Sequence, residues 1–468
     1  MRIEVLIIWP NTKTVLGHIQ YTIVMSGGSQ MVLNATGVWT EVNYGDAPKY
    51  VAPKNNEIVI EKKDREILKK LALKILNIAQ KDIEKEKKDL WYAHNSLKDV
   101  RPLILTDVEN GWNEIITERD LECSGSLARR WEVVLRKEIF WGNSIKDDKP
   151  VEPIFELGYT YKESSLGVSE EYHGGKSGGS YTWSAPIKNL DDLSKLHFSN
   201  IKIDYKTTLH AFSIANDIFK DILNVRIRNP WWWSWGLTYD AVKLIGLQNL
   251  LIYFYDNPEL LHKVMEFIRD NGLNKLDFLE KSHLLSLNNN SSYVGSGGTG
   301  YSRELPKEDI FTSGIKTGDL WGFCESQETG QVSPQMFEEF VFQYQLPFLK
   351  RFGLNCYGCC EPLDKRWHIV KKAPNLRRVS VSAWADPIKM AEFLANKYVY
   401  SYKPNPAELA VPDINEDSIR SKIKNILNIT KGCVLEIIMK DNHTLGKNPK
   451  NIINWTRIVR EEINKLYS

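Results

Sequence analysis

The stretch YGCCEP, residues 357 to 362, sets two thiols side by side and next to a carboxylate. Adjacent cysteines pair with each other only under strain, and six cysteines in 468 residues do not make a disulfide framework. Cys359 and Cys360 therefore read as reduced thiols, suited to metal ligation or to nucleophilic chemistry. Other β-like runs end in comparable polar groups: Cys324, Glu325 and Gln327; Ser382, Trp384 and Asp386; Ser401, Lys403 and Asn405; Lys440, Asp441 and His443. Thiolate, imidazole and carboxylate groups converging from separate strands make a zinc site with three protein ligands and an open position, which polarises a substrate or binds a thiolate. Cys359, Cys360, Glu325 and His443 are the expected metal ligands. Because side chains alternate along a strand, only one of the two adjacent thiols should point into the site. Inert burial competes with this reading for any cysteine at a strand end, and Cys433 begins its strand at the wrong end for chemistry. A nucleophilic cysteine needs a histidine base, for which His443 and His368 are the candidates, whereas His262 reads as an ordinary helix residue. Without metal, Lys403, Asp441 and Glu361 are the expected acid and base groups. Lys403 beside Pro404 would donate a proton or clamp a carboxylate; Glu361 would either ligate directly or orient the strand-end loop.

These residues need a scaffold that gathers strand ends. Short β-rich runs begin near 102, 151, 222, 319, 353, 378, 398 and 433, each followed by a stretch of helical periodicity. Eight such units predict an α/β fold of the (β/α)₈ TIM barrel type, with reacting groups at the C-terminal strand ends. A helical segment from Lys62, rich in leucine and isoleucine at three- and four-residue spacing, precedes the first strand. Residues 1 to 60 read as an extension of unknown role, and 61 to 468 as the barrel. Two long Gly/Ser-rich insertions, about 160 to 195 and 283 to 318, read as either mobile lids or disordered loops, and in a barrel they would hang over the catalytic face. The run GSGGTG within the second is a weak phosphate cradle, since no GK[ST] follows. The tryptophan cluster NPWWWSWG, residues 229 to 236, is either packing or an aromatic pocket wall. Trp232, Trp235, Tyr357, Trp384 and Asn405 are the expected substrate-binding residues.

Charge is balanced, with 61 Lys+Arg against 59 Asp+Glu, so no overall field favours nucleic acid or a membrane. No stretch approaches the ~20 apolar residues of a membrane span, and the N-terminus lacks a secretory pattern, so a cytoplasmic protein is expected. The segment DNHTLG carries the D-x-H-x-x-G spelling of cobalamin-binding domains at Asp441, His443 and Gly446. Only 22 residues follow it, so the corrinoid is not expected on this chain.

The blocks FGLNCYGCCEPLDK, PNLRRVSVSAWAD, YVYSYKPNPAELA and GCVLEIIMKD, with LWYAHNSLKDVRPLIL and DLWGFCESQETGQVSPQMFEEF upstream, resemble a branch of the uroporphyrinogen decarboxylase superfamily found mostly in anaerobic bacteria. Its members are often described as corrinoid-dependent methyltransferases or as proteins of trimethylamine and methoxy-aromatic metabolism. The resemblance spans roughly 62 to 465 and implies a barrel whose catalytic face meets a separate cobalamin protein. It further implies a methyl group moved between a small methylated donor and that partner, with zinc assistance; a homodimer is the assembly to test, on grounds separate from the resemblance. In methyltransferase members zinc is held by H-x-C on one strand and by a cysteine on the last. Here Cys359 falls on the cysteine of H-x-C, Tyr357 replaces the histidine, and Asp441 or His443 would have to substitute on the last strand. The branch usually reads YGCCEPLH, where Asp364 stands in this chain, and HTL replaces the usual STV. The first strand, RPLILTDVENGW, lacks the arginines that decarboxylase members use to grip tetrapyrrole carboxylates. A metal-free lyase, or a non-catalytic partner of a corrinoid protein, are the alternatives.

Overall fold

The computed structural model describes residues 57–174, 181–307, 310 and 314–467. The extension expected at 1 to 60 thus lies almost wholly outside the described residues. Ile58 and Ile60 are already buried against the helices that follow.

Each of the eight β-rich runs forms a strand: β1 (Leu103–Thr106), β2 (Ile154–Leu157), β3 (Asn224–Ile227), β4 (Trp321–Cys324), β5 (Leu354–Tyr357), β6 (Leu376–Val381), β7 (Val399–Tyr402) and β8 (Val434–Met439). Six of them make one parallel sheet in the order β1-β8-β7-β6-β5-β4, and β2 pairs with β3 in a separate parallel ladder. The molecule is therefore a mixed α/β protein built on a six-stranded parallel sheet, in which the first strand pairs with the last. No ladder joins β1 to β2 or β3 to β4 among the described residues. At those seams irregular chain serves the open edges. Beside β1, the Asp148 amide donates to the Ile104 carbonyl at 2.9 Å, and the Asp147 carboxylate accepts from the Thr106 amide at 2.7 Å. Beside β4, the Trp235 amide donates to the Phe323 carbonyl at 2.9 Å. Unpaired edge groups are thereby satisfied without another strand.

Strand alternation sorts the sheet into two faces. Cys324, Tyr357, Val379, Tyr400, Leu435 and Ile437 join the large apolar cluster under the flanking helices. Leu103, Leu105, Phe323, Cys356 and Ile438 face the other way. The helical run upstream of β1 is two helices, Lys62–Ala79 and Asp82–Asn95. The first buries Leu68, Leu71, Ala72, Ile75 and Ile78, three or four residues apart. It packs with Ser126–Phe140 and Tyr205–Phe219 around Trp131, Phe155 and Phe219. The second places Trp91, His94 and Asn95 against the non-helical face of the sheet.

That face is filled by the glycine-rich segment, which was expected to be a mobile lid or a disordered loop. Val294 to Ser302 are all buried. A Cβ on Gly295 would come within 2.7 Å of the Cys356 Cβ, one on Gly297 within 2.5 Å of Ile438 Cγ2, and one on Gly298 within 2.8 Å of the Arg378 Cζ. Glycine is needed here because backbone presses directly on strand side chains. Its carbonyls find donors: the Trp321 indole reaches Gly300 at 2.8 Å, and the Asn95 amide reaches Thr299 and Tyr301 at 3.0 and 2.9 Å. A segment held this way is neither a mobile flap nor a phosphate cradle. The other insertion forms one antiparallel ladder within itself, Glu171–Gly174 with Tyr181–Ser184, and a second with the chain just beyond it, Tyr161–Glu163 with Ile201–Ile203. Among the described residues no helix is long and apolar enough to cross a membrane.

Candidate active site around Cys359

At the C-terminal end of β5 the chain turns through Gly358, whose φ of +89° lies in the left-handed region. That turn resets the alternation. Tyr357 faces the helices, while Cys359, two residues on, lies on the opposite face with Phe323 and Cys356. Cys359 is 1% exposed, and its thiol has three polar neighbours. The Ser296 hydroxyl of the glycine-rich segment is 3.1 Å away, the Cys360 sulfur 3.7 Å and the Lys440 ammonium 3.8 Å. The Ser380 hydroxyl donates to the Cys359 carbonyl at 2.9 Å. Cys360 is less buried, and its sulfur is 3.7 Å from the Asp441 carboxylate. Lys440, the residue after β8, spans the group: 3.3 Å from Ser296 Oγ, 3.1 Å from Asp441 and 3.9 Å from Glu109. Glu109 and Asp441 both hold left-handed backbone, φ +43° and +60°. Non-glycine residues in that region are held there by surrounding structure and collect at functional sites.

Hydrogen bonding to Cys360 and burial push the Cys359 thiol well above its ordinary value, with Lys440 opposing. Burial disfavours the Lys440 ammonium, but Asp441, Cys359, Tyr293 and Glu109 outweigh it and raise its pKa further. Burial pushes Glu109 up to about 8 against the attraction of Lys440. Glu325, Glu328 and Glu361 are also raised, in each case first by burial. Glu361 accepts from the Cys359 and Ser326 amides at 3.0 and 2.8 Å. It therefore orients the strand-end loop, the second of the two roles expected for it.

The expected zinc ligands are not brought together as one set. Cys359 and Cys360 are adjacent, at a separation close to that of two thiolates on a tetrahedral ion. Glu325, however, accepts from the Ser234 hydroxyl at 3.2 Å and the Gln327 amide at 3.0 Å. His443 Nδ1 lies 3.1 Å from the Asn110 amide nitrogen, and burial lowers its pKa. Among the described residues no three His, Cys, Asp or Glu groups are arranged to hold a metal ion. Among the described residues, therefore, no complete zinc site is formed.

The expected substrate-binding residues also disperse. Tyr357 packs against Phe337 and Phe342, and its hydroxyl donates to Gln345 at 2.6 Å, so it belongs to the helix-facing core. Trp384 is 71% exposed. Asn405 caps a short turn by accepting from the Ala407 amide at 3.0 Å. Trp235 is buried and stacks on Phe348 at 4.9 Å, which is packing. Trp232, in contrast, lines a cavity together with Trp233 and Tyr293.

Lys403 lies at a second cluster on the same face, with its ammonium on the Ser401 hydroxyl. Ser401 donates to Glu436, which pairs with Arg378 at 2.9 Å and lies 3.1 Å from His94 Nε2. Burial lowers the Lys403 pKa to about 8. Glu436 falls to about 2, because Arg378, His94 and Lys403 together outweigh its burial. Arg378, Glu436 and His94 were not singled out from the sequence. A charged residue at an alternating position of a strand covered on both faces has to find a partner, and that signal was present.

No family model and no curated protein matches the chain. Among solved structures, a methyltransferase from Methanosarcina mazei aligns over 82% of this chain and 99% of its own, with 10% sequence identity and a TM-score of 0.45. A likeness this remote bears on neither substrate nor cofactor.

Proposed function

We propose that the chain is a methyltransferase that moves a methyl group between a small methylated substrate, of the methoxylated aromatic or methylamine type, and the corrinoid of a separate protein. Its eight parallel strands are read as a (β/α)₈ barrel interrupted at two seams. The resemblance of its sequence blocks to corrinoid-dependent methyltransferases supports this reading. The observation that carries it is the cluster at the end of the sheet: a buried thiol, a second thiol, a hydroxyl and a buried ammonium meet within 4 Å of one sulfur.

When docked, the partner's corrinoid supplies the nucleophile that accepts the methyl group. The work left to this chain is protonic. Removing a methyl cation equivalent from an ether or an unprotonated amine R–X–CH₃ leaves an anion on X, which must be protonated or stabilised as the bond breaks, whereas a protonated amine leaves as a neutral molecule. Cys359 as thiol and Lys440 as ammonium hold their protons at neutral pH. Asp441, 3.1 Å from the Lys440 ammonium, offsets its charge and holds it toward the sulfur. No step is routed through zinc, because Glu325 and His443 are engaged elsewhere.

The test is optical. Purified protein is mixed with reduced corrinoid proteins of the same organism and a panel of methoxylated aromatics and methylamines. Conversion of the corrinoid spectrum is expected with one donor class, and Cys359→Ser and Lys440→Met should each slow it by roughly a hundredfold or more. Conversion at undiminished rate in both variants would remove this cluster from the mechanism. No conversion with any donor would leave only the fold.

A further inference from the structure

The seam between β3 and β4 contains a cavity of about 70 Å³. It is lined by Arg228, Asn229, Trp232 and Trp233 on the segment leaving β3, by Trp321 of β4 and by Tyr293 of the glycine-rich segment. Asn229 is 4% exposed, yet neither its side-chain nitrogen nor its oxygen has a hydrogen-bond partner, and the buried Arg228 Nε also lacks one. Buried polar groups left this way are costly and call for an occupant. The charge is unbalanced as well. Arg226 and Arg228 share one carboxylate, Glu156, at 2.8 and 3.1 Å, which leaves a surplus positive charge at the cavity wall.

We propose that this cavity is a binding site for a small monocarboxylate bearing a hydroxyl or amino donor on its α-carbon. The unpaired donors, Arg228 Nε–H and the Asn229 amide nitrogen, suit carboxylate oxygens. The unpaired Asn229 oxygen needs a donor from the ligand, and an α-hydroxyl or α-ammonium supplies it. The tryptophan faces take the remaining apolar or cationic part. At about 70 Å³ the cavity suits a ligand the size of glycolate or glycine. Tyr293 and Gly295 line the cavity and lead directly to Ser296, which touches Cys359. The binding stands apart from the methyl transfer proposed above, since glycolate and glycine carry no methyl group to donate.

Calorimetric titration of the full chain with glycolate, glycine, acetate and methoxybenzene tests this. Glycolate or glycine should bind saturably, and the two arms separate an α-hydroxyl from an α-ammonium requirement. Acetate, which leaves the Asn229 oxygen unpaired, should bind at least about tenfold more weakly. Methoxybenzene, which has no carboxylate, should not displace bound glycolate or glycine, whether or not it binds elsewhere on the chain. Asn229→Leu should weaken glycolate or glycine binding by about tenfold or more at unchanged circular dichroism. If that variant does not fold, the near-isosteric Asn229→Asp serves, and its added negative charge should abolish carboxylate binding. Absence of saturable binding by glycolate and glycine, or equal binding by a folded Asn229 variant, overturns the proposal. A chain that binds glycolate but transfers no methyl group refutes only the methyltransferase reading. One that transfers methyl but binds neither ligand refutes only the cavity assignment.

Discussion

Ser296 and Lys440 reach the Cys359 sulfur from opposite sides in sequence, 63 residues before it and 81 after. They act on it differently. Ser296 offers a neutral hydrogen bond of about 1 kcal/mol, so Ser296→Ala should slow the methyl transfer proposed above roughly fivefold and lower the melting temperature by no more than a few degrees. A variant at wild-type rate would show that the contact is only packing. Lys440 opposes the upward shift of the thiol. Replacing it with methionine should therefore raise the thiol pKa, so that methanethiosulfonate modification of Cys359, followed by mass spectrometry, requires a higher pH than in the wild type. A downward displacement of that profile would contradict the assigned electrostatics. Cys359, Cys360 and Glu361 were legible because their types are reactive and contiguous. Ser296 was not, because nothing in a Gly/Ser run marks which hydroxyl will be pressed against a thiol. Tyr357 was misplaced for a geometric reason: Gly358 at positive φ shifts the alternation by one residue, and only coordinates reveal that.

At the scale of elements, all eight strands stood where β-branched and aromatic runs predicted them, since helices alternating with short apolar runs leave few other choices. The glycine-rich segment was misread because low side-chain content looks the same whether backbone is bathed in water or packed against a sheet. Gly297 and Gly298 separate the two cases. Both have φ above +100°, and a Cβ on either would collide with Ile438 or Arg378. Gly297→Ala should cost about 3 kcal/mol in urea denaturation, from left-handed backbone strain and overpacking together. An unchanged midpoint would mean that the segment leaves the sheet in solution.

Across the whole molecule, Glu436 is the point where helix Asp82–Asn95, β6, β7 and β8 are tied together, through His94, Arg378 and Ser401. Its folded pKa, about 2 against an ordinary 4.5, means that the unfolded chain binds the extra proton between those values. The stability contributed by ionised Glu436 is therefore complete above about pH 4.5 and is lost as pH falls toward 2. By linkage the loss amounts to roughly 3 kcal/mol. Glu436→Gln should destabilise the protein by about 3 kcal/mol or more at pH 7, because Arg378 and Lys403 lose their buried counter-charge. Its urea midpoint should also depend less on pH in that acid window; equal slopes for variant and wild type would count against the network. The pairing of β1 with β8 has a consequence for synthesis. Leu103 meets Glu436 across the sheet, and Lys440 lies just beyond. During translation the early strand must wait, one edge unsatisfied, until more than three hundred further residues have left the ribosome. The thiol pocket is thus assembled among the last parts of the molecule, so a nascent chain stalled before β8 should be a client for chaperones and not a partial enzyme.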